Sequence, residues 1–525
     1  MPNRTKISLF SGTALLAASF MSTAALAQDI TIAFSSDELG ATSYNPITSS
    51  NLNSAASLIY DRLVEQDADQ SYHPHLATSW DEAADGMSWV FHLKAGVTFH
   101  DGTPFNAQTV ADWIPDFADT DNAYLVGAVA SVEVIDELTV KLVMSRPEPN
   151  LLYNLSSTFM GIPGQVAYDE LGDEFGVSAA VGTGPFMLDS FAIGLETVLV
   201  RNADYAWASD LSENQGAAHI GQITFREIPD QSTAFLELKT GGIDMLLGVP
   251  TAFLEILKVE SNITIIQMPG TGIHYMPINV TAPPFDDINV RQATGLAINQ
   301  EAIVASIYNG VGAPAHNFLI SSLPEAVVDR SLNVSYDLER ANALLDAAGW
   351  VMGDDNIRVK DGTPLSVSLF TQNGTEFTTL TQVVQAQLAD IGMEAVITVF
   401  DSSTIRDEYK NNRHQLAVRG YDWNNSDILD WFFSGERIGY PNVSMWVDDE
   451  GQRLNDVAME ESNNSDERIA NFTAYHEYVL AQHLFVPIYQ PTKNIAYNLD
   501  RVSVPEVVQG TRFRSQTVLD MSVVE

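Results

Sequence analysis

Between Leu365 and Phe400 the sequence reads as strand, helix, strand, and that order restricts the fold more than any other feature of the chain. Leu365, Val367 and Leu369 alternate along one strand face, a helix runs from Glu376 to Ile391 until Gly392 ends it, and Ala395 to Phe400 forms a second strand. Strands joined through a helix lie parallel in one sheet, and the crossover between them is right-handed. Just upstream, Asp337 is placed to cap a helix carrying Leu338, Ala341, Leu344, Leu345 and Ala348, with Gly349 as its stop. The first half of the chain has a different pattern. Residues 54–64 set Ala55, Leu58, Ile59 and Leu63 on one helical face, and Trp89, Phe91 and Leu93 alternate with Val90, His92 and Lys94 as a half-buried strand. Val132 and Val134, then Leu138, Val140, Leu142 and Met144, flank Asp136 and Glu137 as a hairpin. A hairpin-rich part followed by a part containing a strand–helix–strand unit predicts an α/β protein of lobes with a cleft between them, where small ligands bind.

Composition narrows the function. The 26 Lys and Arg stand against 68 Asp and Glu, a formal charge of −42. Neutralising nucleic-acid phosphates or docking on an anionic membrane needs clustered cations, so both are disfavoured. The chain has no cysteine, which removes disulfides, thiolate metal sites and Cys nucleophiles together. Arg4 and Lys6 precede an apolar, small-residue stretch from Leu9 to Leu26, and Ala25, Leu26 and Ala27 fit a cleavage site, so residues 1–27 read as a signal peptide. Without a Cys at that site no lipid anchor is expected, and the mature chain beginning at Gln28 is expected in a bacterial periplasm. Its 498 residues correspond to roughly three domains of about 150.

Catalytic patterns are sparse. The sequence contains no G-x-S-x-G elbow, no H-E-x-x-H and no Walker loop. Gly182-Thr183-Gly184-Pro185 reads as a tight turn, since Pro185 lacks the N–H that an anion nest needs. Paired acids for glycoside hydrolysis are not singled out among so many carboxylates. His73 and His75 bracket Pro74, whose extended backbone sends both to one face, yet they read as surface decoration rather than metal ligands. His100-Asp101-Gly102 reads as turn chemistry.

The functional signal lies between Arg419 and Phe433. It follows an apolar strand of Leu416, Ala417 and Val418, so its first residues stand where a strand ends. Tyr421 and Trp423 are large amphipathic rings suited to sandwiching a solute, and Asn424 supplies donors and acceptors. Phe432 and Phe433 read as core residues of a following helix. Arg419 stands out among so few cations; it either pins a ligand carboxylate or pairs with a neighbouring acid.

The run from His73 to Trp80 (HPHLATSW), Asp85-Gly86, Trp89 to Lys94 (WVFHLK), Gly96 to Phe99 (GVTF) and Asp101 to Phe105 (DGTPF) resembles the signature of family 5 bacterial extracellular solute-binding proteins. These are receptors of peptide and nickel ABC importers. Further matches come in the family's order: Gly182 to Phe186 (GTGPF), Arg201-Asn202 with Asp204-Tyr205, Ile228 to Asp230 with Ser232-Thr233, Asn279, Val290 to Ala293, Ala347 to Trp350, Asp361-Gly362 with Pro364-Leu365, and Val486 to Ile488. The likeness spans about residues 30 to 495.

The resemblance implies a two-lobed periplasmic binding protein with mixed sheets. Its first lobe is 28–75, 184–270 and 490–525, with an extra domain inserted at 76–183; its second lobe is 271–489. The chain would cross the hinge twice, near 270–274 and 489–492. It implies a monomer that captures a small solute and delivers it to an ABC permease in the inner membrane, with no catalytic residue, metal or cofactor. The ligand-facing positions expected are Tyr44, Ser49, Ser50 and Asn53 from the uncharged early loop, which faces the ligand in relatives, and Arg419, Tyr421, Asp422, Trp423, Asn424 and Trp431 from the segment after the apolar strand. Peptide-binding relatives hold the ligand's amine with an Asp that maps to Asn424 here, and Tyr421 replaces their Trp. The nickel-binding relative's His maps to Val418, and its Arg, which would fall near Ser156–Thr158, is absent, which argues against a nickel chelate. Peptide is the first expectation and oligosaccharide the second.

Overall fold

The computed structural model describes residues 29–35, 40–67, 69–505 and 513–524. The leader, with its Gln28 boundary, lies outside the described residues.

Two mixed sheets organise the chain. The first has seven strands in the order Ile263–Pro269, Thr492–Asn498, Met245–Leu247, Asp29–Phe34, Gln222–Glu227, Glu196–Arg201 and Phe186–Ala192. Asp29–Phe34 runs parallel to both of its neighbours. The second has six, in the order Ala313–Pro314, Phe485–Gln490, Gly272–Pro277, Leu416–Asp422, Ser366–Gln372 and Glu394–Phe400. Here Ser366–Gln372 is parallel to Glu394–Phe400 through the helix Thr375–Ala389, as the strand–helix–strand reading requires. Gly392 adopts φ 72°, a left-handed conformation that ends the helical segment at little steric cost. Asp337 caps the helix Leu338–Ala347 by accepting from the Arg340 N–H.

The chain passes from the first sheet to the second between Pro269 and Gly272 and returns between Gln490 and Thr492. These two connections are bonded to each other, the Gly270 N–H donating to the Pro491 carbonyl at 2.8 Å.

A four-stranded antiparallel sheet, ordered Ala77–Glu82, Ser88–Leu93, Thr139–Met144 and Val129–Asp136, stands beside the first. Trp89, Phe91 and Leu93 are buried on its inner face, as their alternation predicts. Its apolar residues belong to the same core as Ile32, Phe34 and Phe225 of the seven-stranded sheet. The segment 76–183 thus packs its apolar residues against those of the seven-stranded sheet.

Two local readings are corrected. The helix expected over 54–64 covers only Ala56–Ile59; Tyr60 is already extended, and Leu63 leads into the strand Val64–Gln66. Tertiary pairing ends it, because the Ile59 carbonyl accepts from the Gly184 N–H at 2.9 Å. Gly182 and Gly184 are likewise not there to make a tight turn. A Cβ on Gly182 would lie 2.1 Å from the Ile59 carbonyl oxygen, and one on Gly184 would lie 2.3 Å from that of Leu58. Close backbone approach excludes any side chain at either position.

Candidate ligand-binding site

The strand Leu416–Asp422 enters the second sheet with Leu416, Ala417 and Val418 fully buried. Its carboxyl end opens onto a cavity of about 370 Å³ lined by residues between Gln66 and Phe159, with Arg514, on one side and between Asp422 and Phe472 on the other, the position where open α/β sheets receive ligands. Asp422, Trp423, Asn424, Asp427 and Trp431 form one wall; Gln66, Asn150, Tyr153 and Ser156 face them from the other. A wider depression of about 540 Å³, around Pro283, Trp350 and Lys360, draws all its lining residues from 283–366 and holds none of these groups. Of these two cavities, the first draws its lining from both lobes.

Hydrogen bonds cross between the walls. The Tyr153 hydroxyl donates to Asn424 Oδ1 at 2.9 Å, and Asn424 Nδ2 donates to Gln66 Oε1 at 3.2 Å. Asn425 Nδ2 donates to Asn150 Oδ1 at 2.7 Å. Trp423 Nε1 donates to Asp427 Oδ1 at 2.7 Å, which fixes the indole over the turn that starts the helix Ile428–Phe433. On that helix Trp431 is 43% exposed, with the Arg437 guanidinium 4.3 Å from its ring, while Phe432 and Phe433 are buried.

Four arginines line the cavity of a chain that has few cations: Arg146, Arg437, Arg468 and Arg514. Each has an acid. Arg146 meets Glu148 at 3.2 Å, Arg437 meets Asp430 at 2.6 Å, Arg468 meets Glu325 at 3.4 Å and Arg514 meets Glu65 at 3.0 Å. Of the lining acids, Asp422 takes Lys493 at 3.2 Å. Asp427 alone among the described lining carboxylates has no cationic side chain at ion-pair distance. Burial pushes its carboxyl above the ordinary range, against the pull of the Arg468 charge and the Trp423 N–H. A ligand ammonium is the group that such a carboxylate lacks.

Of the ten residues expected at the ligand, Asp422, Trp423, Asn424 and Trp431 line this cavity and six do not. Arg419 lies under the cavity wall, its guanidinium carbon 5.0 Å from the Phe432 ring and 5.4 Å from that of Tyr440. Rings surround it, and no carboxylate among the described residues stands at ion-pair distance from it. Tyr421 donates its hydroxyl to the Phe318 carbonyl and packs on Tyr275 and Phe432. The early loop is turned into its own lobe. Tyr44 is fully buried, its hydroxyl 2.7 Å from Thr197 Oγ1 and 3.2 Å from Asn53 Oδ1. Ser49 donates to the Ser43 carbonyl, Asn53 caps the Ala55 N–H, and Ser50 is exposed and does not line the cavity.

Residues that the sequence did not single out are Gln66, Asn150, Tyr153, Asp427, Arg437 and Arg468. Asp427 stands inside the aromatic segment, and scarcity of cations was a usable signal for the arginines. Nothing local marks Gln66, Asn150 or Tyr153.

His73 and His75 part company. His73 meets Asp210 at 3.2 Å near the surface, whereas His75 is sealed between Asp61 at 3.2 Å and Glu65 at 3.1 Å. It is a structural ion-pair group, not surface decoration. His100 accepts from the Gly182 N–H through Nδ1 and bonds the Gly184 carbonyl through Nε2, tying the close-approach glycines to the turn at Gly102.

The family model for "bacterial extracellular solute-binding proteins, family 5 Middle" matches residues 71–439. Heme-binding protein A of Haemophilus influenzae is 24% identical over 478 residues, covering 84% of this chain and 83% of that protein. The dipeptide-binding protein of Escherichia coli is 26% identical over 424 residues, covering 74% and 75%. Among solved structures, the ABC transporter substrate-binding protein CtaP of Listeria monocytogenes superposes with a TM-score of 0.80 at 20% identity, over 95% of this chain and 99% of that one.

Proposed function

The chain belongs to the bacterial extracellular solute-binding proteins of family 5, and on that premise we propose that it is the periplasmic receptor of an ABC importer for a peptide or peptide-like zwitterion. Solute enters between the two sheets, the lobes close on it, and the loaded monomer hands it unaltered to an inner-membrane permease. On this reading the lobes follow the boundaries expected from the sequence, residues 1–27 are a signal peptide and the protein does no chemistry. No helix among the described residues is long and apolar enough to cross a membrane.

One observation carries the peptide reading: Asp427, a half-buried carboxylate in the cavity wall with no cationic side chain at ion-pair distance among the described residues. It supplies the counter-charge for a ligand amine that the amide of Asn424 cannot. A peptide carboxylate then meets Arg437 or Arg468, sharing the guanidinium donors with Asp430 or Glu325. The relative from Escherichia coli is named for dipeptides, in keeping with this. Oligosaccharide is the second reading, favoured by the amides of Gln66, Asn150, Asn424 and Asn425 beside Trp423 and Trp431. Thermal-shift screening of the purified chain against peptide and oligosaccharide pools decides between them. A true ligand at a hundredfold excess over Kd adds about 2.7 kcal/mol of stability and is recovered intact. Stabilisation by neutral sugars and by no peptide overturns the peptide reading, and conversion of the ligand by the pure protein overturns the receptor reading.

A further inference from the structure

Two chain connections join the lobes, and one carboxylate ties them to the cavity. Asp422 is the last residue of the strand Leu416–Asp422, in register with Gly272 of the second sheet. Its Oδ1 accepts from the Thr271 hydroxyl in the first connection. Its Oδ2 accepts from Lys493 Nζ at 3.2 Å, and Lys493 lies two residues beyond Pro491, in the strand Thr492–Asn498 of the first sheet. The same Asp422 lines the cavity.

The two carboxylate oxygens have different work. Thr271 is fixed to the second sheet, because its carbonyl accepts from the Trp423 N–H at 2.7 Å. Its hydroxyl therefore orients Asp422 within one lobe, while the ammonium of Lys493 reaches Asp422 from the other. The backbone beneath is already paired, with Gly270 donating to Pro491 and Gln490 Nε2 donating to the Gly270 carbonyl at 3.1 Å. The ion pair stands on that pivot as a contact between sheets.

We propose that Asp422, oriented by Thr271, is a positioning residue whose pair with Lys493 weights the equilibrium toward the closed form and thereby raises apparent solute affinity. This rests on the reading of the chain as a closing receptor. A solute bound by the closed form is held more tightly in proportion to the closed fraction. Asp422 is about half exposed and Lys493 about a quarter, so the pair is modest in strength and open to salt.

The test needs no solute. The chain has no native cysteine, so Leu195→Cys and Val396→Cys, at exposed sites of the two lobes, accept a donor and an acceptor dye without interference. Single-molecule energy transfer on the ligand-free protein in low salt then gives the closed-to-open ratio. Asp422→Asn and Lys493→Met should each lower it by roughly two- to fivefold, the range of an exposed pair. Thr271→Val should lower it by less. The double variant should show no further loss, and NaCl at about 0.5 M should lower the parent ratio but not that of either variant. A ratio that stays unchanged in Lys493→Met, or losses that add in the double variant, overturns the clamp. Failure of the receptor reading would show separately, as absence of any binder in the solute screen.

Discussion

Asp427 and Arg419 stand eight residues apart in one segment, and their surroundings give them opposite roles. Asp427 faces the cavity with no cationic side chain at ion-pair distance among the described residues, so Asp427→Asn keeps its shape and removes the charge. A charge-assisted hydrogen bond contributes about 1.5–3 kcal/mol, so amine-bearing ligands should bind roughly 10- to 150-fold more weakly, as read by calorimetry. Neutral sugars should be indifferent. Arg419 is instead caged by Tyr275, Tyr409, Phe432 and Tyr440. Cation–π contacts at desolvated sites contribute about 2 kcal/mol, so Arg419→Met should lower the ligand-free melting temperature by several degrees and leave affinity within about twofold. A large affinity loss in Arg419→Met would return that residue to the ligand. The difference was not legible in the sequence. Both are charged residues beside aromatics, and only the register of the strand with Tyr275 sends Arg419 under the wall.

At the scale of elements, the short strand Val64–Gln66 brings a buried charge network behind the cavity. Burial alone would lower the His75 pKa, yet Asp61 and Glu65 on either side raise it from 6.5 to about 9. Burial would likewise raise Glu65, but Arg62, His75 and Arg514 hold it well below the usual carboxylate range. The sign for His75 follows from proton binding. Its folded pKa lies above the unfolded one, so its stabilising contribution is complete below about pH 6.5 and is lost as pH rises through 9. The melting temperature should fall between pH 7 and pH 10, and His75→Gln should remove most of that slope; an unchanged slope would place the titration elsewhere. The same lobe depends on the approach of residues 182–184 to 58–60. Gly184→Ala should destabilise by about 1–3 kcal/mol or more through overpacking, measured by denaturant midpoint, because the atom it would strike is a backbone oxygen. In the sequence these glycines read as a turn, since close approach depends on a segment about 125 residues away in the chain.

The whole molecule carries a formal charge of −42, and its ion pairs join only part of the 68 acids to 26 cations. Self-repulsion in the compact state is therefore substantial and is screened by salt. Raising NaCl from about 0.01 to 0.5 M should raise the melting temperature, although the same salt weakens individual surface pairs. The two scales separate in one titration: overall stability should climb while the Asp422–Lys493 contact between lobes weakens. A melting temperature that falls with salt would mean that specific pairs outweigh the net charge.

Sequence by itself determined what depends on neighbours in the chain. The parallel strand–helix–strand unit of 366–400, the caps at Asp337 and Gly392, the alternation at Trp89 and the hairpin at 129–144 follow from local periodicity and turn chemistry. The ordered motifs identified the family. Tertiary structure decided what depends on packing across distance: the early stop of the helix at Ile59, the burial of Tyr44 and Asn53, the cage around Arg419 and the burial of His75. It also decided the far wall of the site. Gln66, Asn150 and Tyr153 become partners of Asn424 and Asn425 because the lobes meet there, and no periodicity within one segment encodes a contact with a segment some 270 to 360 residues away.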